Sequence, residues 1–223
     1  LAKQYRSSFA YKNGISNALL TSIYRVATLG SGSGVAAIIY LGEHGIEYGG
    51  GFGLYMIQYA LHKISIALFS AIFFVMNWEF MRNWFGDYAG LLAAGYALTL
   101  VITLGLFLFC CSNRFHHLIC RLLDFANQKF HGKFEIMAEE IKRQCMMLED
   151  ASNHLMKNKK VTTEVIFLCL LKCCFWYGIP YLLFKGVQFQ GNPALSLSQV
   201  LAITSLSVML AAVIPVSYTH LRA

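Results

Sequence analysis

Charge is scarce in this chain, and acidic charge scarcest of all: 13% of its 223 residues are charged, only 11 are Asp or Glu, and only 3 are Pro. Soluble domains carry about 25% charged residues, so this composition, with a mean hydropathy of +0.54, excludes an ordinary soluble enzyme domain. The shortage of acids leaves no paired aspartates of the kind that hold a metal-bound diphosphate at a membrane surface. No C-x-x-C pair exists either, and a structural zinc site wants four ligands. His116 and His117 are adjacent and point to different sides of a helix, and either could share a face with Cys120 about one turn on, but two ligands are too few for a metal. Gly30, Gly32 and Gly34 lack the spacing of a dinucleotide loop and are not followed by the Lys-Ser/Thr of a phosphate loop. Close helix approach or a bend suits them better. No catalytic residue, no metal and no cofactor is expected, and the chain reads as something other than an enzyme.

What the chain has in quantity is long apolar sequence. Four runs, Gly53–Trp78, Tyr88–Cys111, Val161–Phe184 and Ala194–Ile214, each reach the roughly 20 residues that cross about 30 Å of hydrocarbon. Between the second and third lies a basic segment in which Phe115, Leu118, Ile119, Leu122 and Ala126, and then Phe134, Met137, Ile141, Cys145 and Leu148, recur at helical spacing. His131 and Gly132 break the two stripes. The expected fold is therefore all-α, a polytopic transmembrane helix bundle with long amphipathic cytoplasmic helices.

Lys/Arg-rich loops stay cytoplasmic, and they orient the chain. Lys3, Arg6, Lys12 and Arg25 precede the apolar stretch Val26–Gly42, and Arg114 to Lys160 crowds the central segment, whereas the short connections hold only Arg82 and Lys185. Both basic regions fall on one side if Val26–Gly42 lies in or against the membrane without crossing it. The resulting organisation is an N-terminal cytoplasmic or membrane-associated segment at 1–52, a first transmembrane pair at 53–111, cytoplasmic helices at 112–160 and a second pair at 161–215. Residues 216–223 resemble translated adapter sequence, and the start at Leu1 suggests a fragment. The net charge of +7 reads as attraction to the cytoplasmic leaflet, since no nucleic-acid-binding motif accompanies it.

Ionisable groups within the runs are His62, Lys63, Glu164 and Lys172, functional candidates by the cost of charge in a bilayer. Glu164 lies near a span end and can snorkel; Lys172 is deeper, suited to pairing or a partial reach toward the cytoplasmic face, or equally to a polar contact in a cavity. In the same run Trp176, Tyr177 and Tyr181 surround Gly178 and Pro180, where proline bends a helix. These aromatics fit an interfacial belt; equally, with Tyr96, they fit the walls of an outward-facing pocket for a small organic ligand.

Two spans, the segment Asn113-Arg-Phe-His-His-Leu-Ile-Cys-Arg-Leu-Leu-Asp-Phe-Ala-Asn-Gln-Lys-Phe130, and then Lys160-Val-Thr-Thr-Glu-Val-Ile-Phe-Leu-Cys-Leu-Leu-Lys172 together resemble an insect gustatory receptor. The resemblance implies a seven-helix, multi-pass plasma-membrane subunit with a cytoplasmic N-terminus. It implies homo- or hetero-tetramers forming a ligand-gated cation channel for a tastant or odorant, with ligand near Tyr96, Trp176, Tyr177 and Tyr181. The family's Thr-Tyr and Gln-Phe signature is absent from residues 1–223, so no signature residue is carried over. The bilayer is the other expected partner. The alternative reading is a small-solute transporter or another multi-span membrane protein.

Overall fold

The computed structural model describes residues 1–28, 32–129, 135–156, 158–186 and 195–211, and among them there is no strand. The helices are α1 (Ala2–Tyr5), α2 (Tyr11–Ala27), α3 (Ser33–Glu43), α4 (Tyr48–Met76), α5 (Trp78–Phe85), α6 (Ala89–Cys111), α7 (Asn113–Lys129), α8 (Glu135–Met156), α9 (Lys159–Gly186) and α10 (Leu197–Ala211). A 3-10 turn, Gly86–Tyr88, joins α5 to α6. Among the described residues three helical stretches are long and apolar enough to cross a membrane: α4, the run Trp78–Cys111 and α9. The chain is an all-α, multi-pass membrane protein. The fourth apolar run appears as α10, with 15 residues, preceded by Leu195 and Ser196; residues 194 and 212–214 of that run lie outside the described residues. So do Gly30, the His131-Gly132 break, Phe134 and the tail 216–223. Ser33–Glu43, the helix that takes up the second half of Val26–Gly42 and runs one residue past it, has 11 residues, about 16 Å of rise, too short to cross alone.

The chain divides into two compact units, Leu1–Leu61 with Leu106–Thr163, and His62–Gly105 with Glu164–Ala223. In the first unit α2 packs on α3, α7 on α8 and α1 on α8. The α3 end is a Schellman motif: Ile46 N donates to the Leu41 carbonyl at 3.0 Å and Gly45 N to the Gly42 carbonyl at 2.9 Å. Gly45 supplies the positive φ of 81° that such a cap needs and other residues resist. A second glycine sets a helix contact. A Cβ at Gly53 of α4 would stand 2.3 Å from the Ala151 Cβ of α8, so the two backbones approach only because Gly53 has no side chain.

Helix α2 is inside out. Tyr11, Ile15, Leu19, Ile23 and Val26 are exposed, and at 100° per residue they share an arc of about 120°. Asn13, Asn17 and Thr21 are half-buried on the other side. Water would select the opposite arrangement.

In the second unit one core joins Ile66, Phe69 and Phe74 of α4, Tyr96 of α6, Cys173 and Tyr177 of α9, and Leu201, Leu206 and Met209 of α10. Asn77 closes its edge. Its Nδ2 donates to the Phe73 carbonyl at 2.8 Å, satisfying an end of α4, while Ser198 Oγ of α10 donates to Asn77 Oδ1 at 2.9 Å.

Candidate functional site

Hydroxyls inside an apolar bundle need partners, because an unpaired polar group there forfeits its hydrogen bonds to water. The second unit buries Ser65, Ser70, Thr99, Thr103 and Ser205 completely or nearly so. Most of those whose bonds are seen spend their proton on backbone. Thr99 donates to the Gly95 carbonyl at 2.9 Å and Ser205 to the Ala202 carbonyl at 3.2 Å. The Tyr96 hydroxyl crosses between helices to the Ala67 carbonyl at 2.9 Å. Ser70 Oγ lies near that phenol without a hydrogen bond of normal geometry among the described residues. Tyr96, Thr99 and Thr103, at i, i+3 and i+7, form one polar stripe on α6, a spacing visible in the sequence but hidden within an apolar run.

The four aromatics singled out in the sequence separate in the structure. Tyr96 and Tyr177 are 6% and 4% exposed and share the core, the Tyr177 ring centroid 5.7 Å from Phe69 and the Tyr96 ring 5.4 Å from Phe74. Trp176 is 65% exposed, because consecutive helical residues point about 100° apart. Tyr181 is half-buried, with Lys185 Nζ 5.5 Å from its ring centroid. Tyr96 and Tyr177 are therefore brought together, and Trp176 faces away from them.

The outer face of α9 carries Leu168, Phe175, Trp176 and Ile179, all exposed, and in the middle of that face stands the exposed Lys172. No ion pair of Lys172 occurs among the described residues.

In the first unit His116 is 1% exposed and its Nε2 donates to the Phe109 carbonyl at the end of α6, which fixes the proton on Nε2. Ser152 Oγ of α8 donates to the Cys111 carbonyl at 3.1 Å. Both side chains satisfy carbonyls that a helix terminus leaves without partners. Lys142 of α8 pairs with Asp124 of α7, and Arg143 with Glu140 at 2.7 Å. The Glu140 carboxyl is held below its ordinary range by its hydrogen bonds to Arg143 and then Gln144, and burial pushes the Cys145 thiol up. All seven cysteines are free.

The family model described as the lysylphosphatidylglycerol synthase TM region matches residues 2–217. No curated protein and no solved structure matches. The match overturns the gustatory-receptor resemblance, and with it the reading of a taste or odorant receptor, of an ion channel and of receptor tetramers binding a tastant. It overturns the non-enzyme expectation as well, since the family is named for a synthase. The physical reason for the error is that a bilayer imposes the same layout of apolar runs and basic cytoplasmic helices on unrelated proteins. Layout identifies the solvent rather than the activity.

Proposed function

We propose, from the premise that this chain belongs to the lysylphosphatidylglycerol synthase TM region family, that it is the membrane region of a plasma-membrane protein that makes or handles lysylphosphatidylglycerol or a related aminoacylated phospholipid. The observation that carries this reading is the extent of the match, residues 2–217, which takes in every described helix. The composition supports it. Phosphatidylglycerol carries one negative phosphate, and a chain with net charge +7 and lysines or arginines at the ends of its spans attracts anionic lipid to its surface.

In this reading the helices hold the phospholipid in its anionic and its aminoacylated forms. Attaching a lysyl group turns a headgroup of charge −1 into one of about +1, so a site that must take up one and let go of the other binds through a modest number of charges. Tyr96, Trp176, Tyr177 and Tyr181 remain candidates for ligand contact. Trp176, exposed on α9, suits direct contact with lipid, whereas Tyr96 and Tyr177 contribute through the core that positions α6 and α9.

The test is lipid analysis by mass spectrometry, on cells with and without the full-length protein and on lipid that copurifies with it. Aminoacylated phosphatidylglycerol that depends on the protein, together with copurified anionic phospholipid, is the expected result. An unchanged lipid profile with no copurifying phospholipid would refute the reading.

A further inference from the structure

We infer that Lys172 is a mid-membrane binding site for the phosphate of an anionic phospholipid, with Trp176 flanking it on the same open face. The inference deepens the phospholipid reading proposed above and rests on it. Depth is the first observation. Helix α9 runs Lys159–Gly186, and its charged ends anchor it: Lys159 and Lys160 lie at one end and Lys185 at the other. Lys172 stands 12 residues after Lys160 and 13 before Lys185, about 18 and 20 Å along the axis. A lysine stem of about 6 Å spans less than half the distance from the midplane to either interface. Lys172 therefore does not snorkel free of the hydrocarbon.

Direction is the second observation. Lys172 is exposed, not tucked into the bundle. Its face carries Leu168 one turn before it and Trp176 one turn after it, with Phe175 and Ile179 alongside, all exposed. That is a surface for acyl chains with one cation at its centre. The acids of the same unit do not answer the charge. Glu164 is two turns back on α9, about 12 Å away, and Glu79 and Asp87 belong to α5 and the turn after it. Among the described residues none pairs with Lys172.

An ammonium group at this depth is costly unless an anion accompanies it. Lipid lying along the face brings one, a phosphodiester drawn below its usual level. The indole of Trp176 is amphipathic, with an N–H that donates to phosphate or glycerol oxygens and a ring that packs on acyl chain. The ligand class is a phospholipid with net negative charge, and phosphatidylcholine, whose choline cancels its phosphate, is bound more weakly.

The experiment places the full chain in phosphatidylcholine vesicles and measures, by electron spin resonance, the motionally restricted fraction of spin-labelled phosphatidylglycerol against spin-labelled phosphatidylcholine. The wild-type chain is expected to prefer phosphatidylglycerol several-fold. Lys172→Gln is expected to lower that preference at least threefold, Lys172→Arg to keep it, and Lys159→Gln with Lys160→Gln to keep most of it. If Lys172→Gln retains the preference while the Lys159 and Lys160 pair loses it, anionic lipid is held at the membrane surface; the midplane site is then wrong and the phospholipid reading survives. If the wild-type chain shows no preference, both fail. Thermal unfolding of Lys172→Leu supplies an independent readout. An unchanged or raised Tm agrees with a cation facing lipid, and a lowered Tm would show that Lys172 is a packed structural partner and overturn the proposal.

Discussion

Gly53→Ala is the sharpest test of the packing in the first unit. The new Cβ would stand 2.3 Å from the Ala151 Cβ and 3.2 Å from the Met147 carbonyl oxygen. Ordinary carbon contacts lie near 3.5–4.0 Å, so α4 and α8 must separate locally by more than an ångström. Neither obstacle is the free end of a flexible side chain. Overpacking of this kind costs about 1–3 kcal/mol, and the better helix propensity of alanine offsets up to about 1 kcal/mol of it. A net loss of about 1–2 kcal/mol lowers Tm by roughly 2–8 °C in a chain of this size. The assay is thermal unfolding of the purified chain in detergent, followed by far-ultraviolet circular dichroism. Ala151→Gly alone should cost about 1 kcal/mol, but combined with Gly53→Ala it removes the clash, so the pair is expected to be less destabilised than the sum of its members. Gly105→Ala is the control, because a Cβ there meets nothing within 4 Å. A Gly53→Ala chain with unchanged Tm, and strict additivity with Ala151→Gly, would refute the contact between α4 and α8.

The remaining predictions concern single polar groups. Asn77→Ala removes the 2.8 Å bond to the Phe73 carbonyl at the end of α4 and the 2.9 Å bond from Ser198 that joins that end to α10; at about 1 kcal/mol each it should lower Tm in the same assay by several degrees, and Ser198→Ala by about half as much. The Tyr5 phenol is pushed up to about 12, first by burial and then by Asp150. Because its folded value is raised, the stability it contributes is complete below the ordinary value of 10.0 and is lost as pH rises through about 12. Tyr5→Phe should therefore flatten the alkaline loss of stability between those values, and an identical alkaline limb in the variant would dismiss the shift. Glu140, held low by Arg143 and Gln144, acts in the opposite direction. Its contribution is present above the ordinary carboxylate range and fades as pH falls through the lowered value, so Glu140→Gln should narrow the gap between stability at neutral and at acid pH.

Much of the helical class was legible because apolar runs and helical stripes are properties of neighbouring residues. Phe115, Leu118, Ile119 and Leu122 announce α7 whatever it packs against, and the long runs announce α4, α6 and α9. The buried hydroxyls were less legible. Thr99 and Thr103 sit in sequence that reads as almost wholly apolar and Ser205 beside other hydroxyls, Thr204 and Ser207, and only the arrival of neighbouring helices makes their faces inner ones. The aromatic cluster was half legible. Tyr96 and Tyr177 do meet in one core, but composition gives no means of telling that Trp176, their sequence neighbour, faces outward. The family was not legible from layout, because spacing imposed by the bilayer is shared by proteins of unrelated activity.

By itself the sequence determined the solvent and the secondary structure: too little charge for water, enough consecutive apolar residues to cross lipid, and a helical period in the basic segment. Those depend only on local composition and the geometry of one helix. The tertiary structure decided which side of each helix is inside. It turned Lys172 outward and Tyr177 inward on α9, set Gly53 against Ala151 and gave the ends of α6 and α4 the partners His116, Ser152 and Asn77. A face becomes inner or outer only through the helices that cover it, and those are supplied by residues far away in the chain.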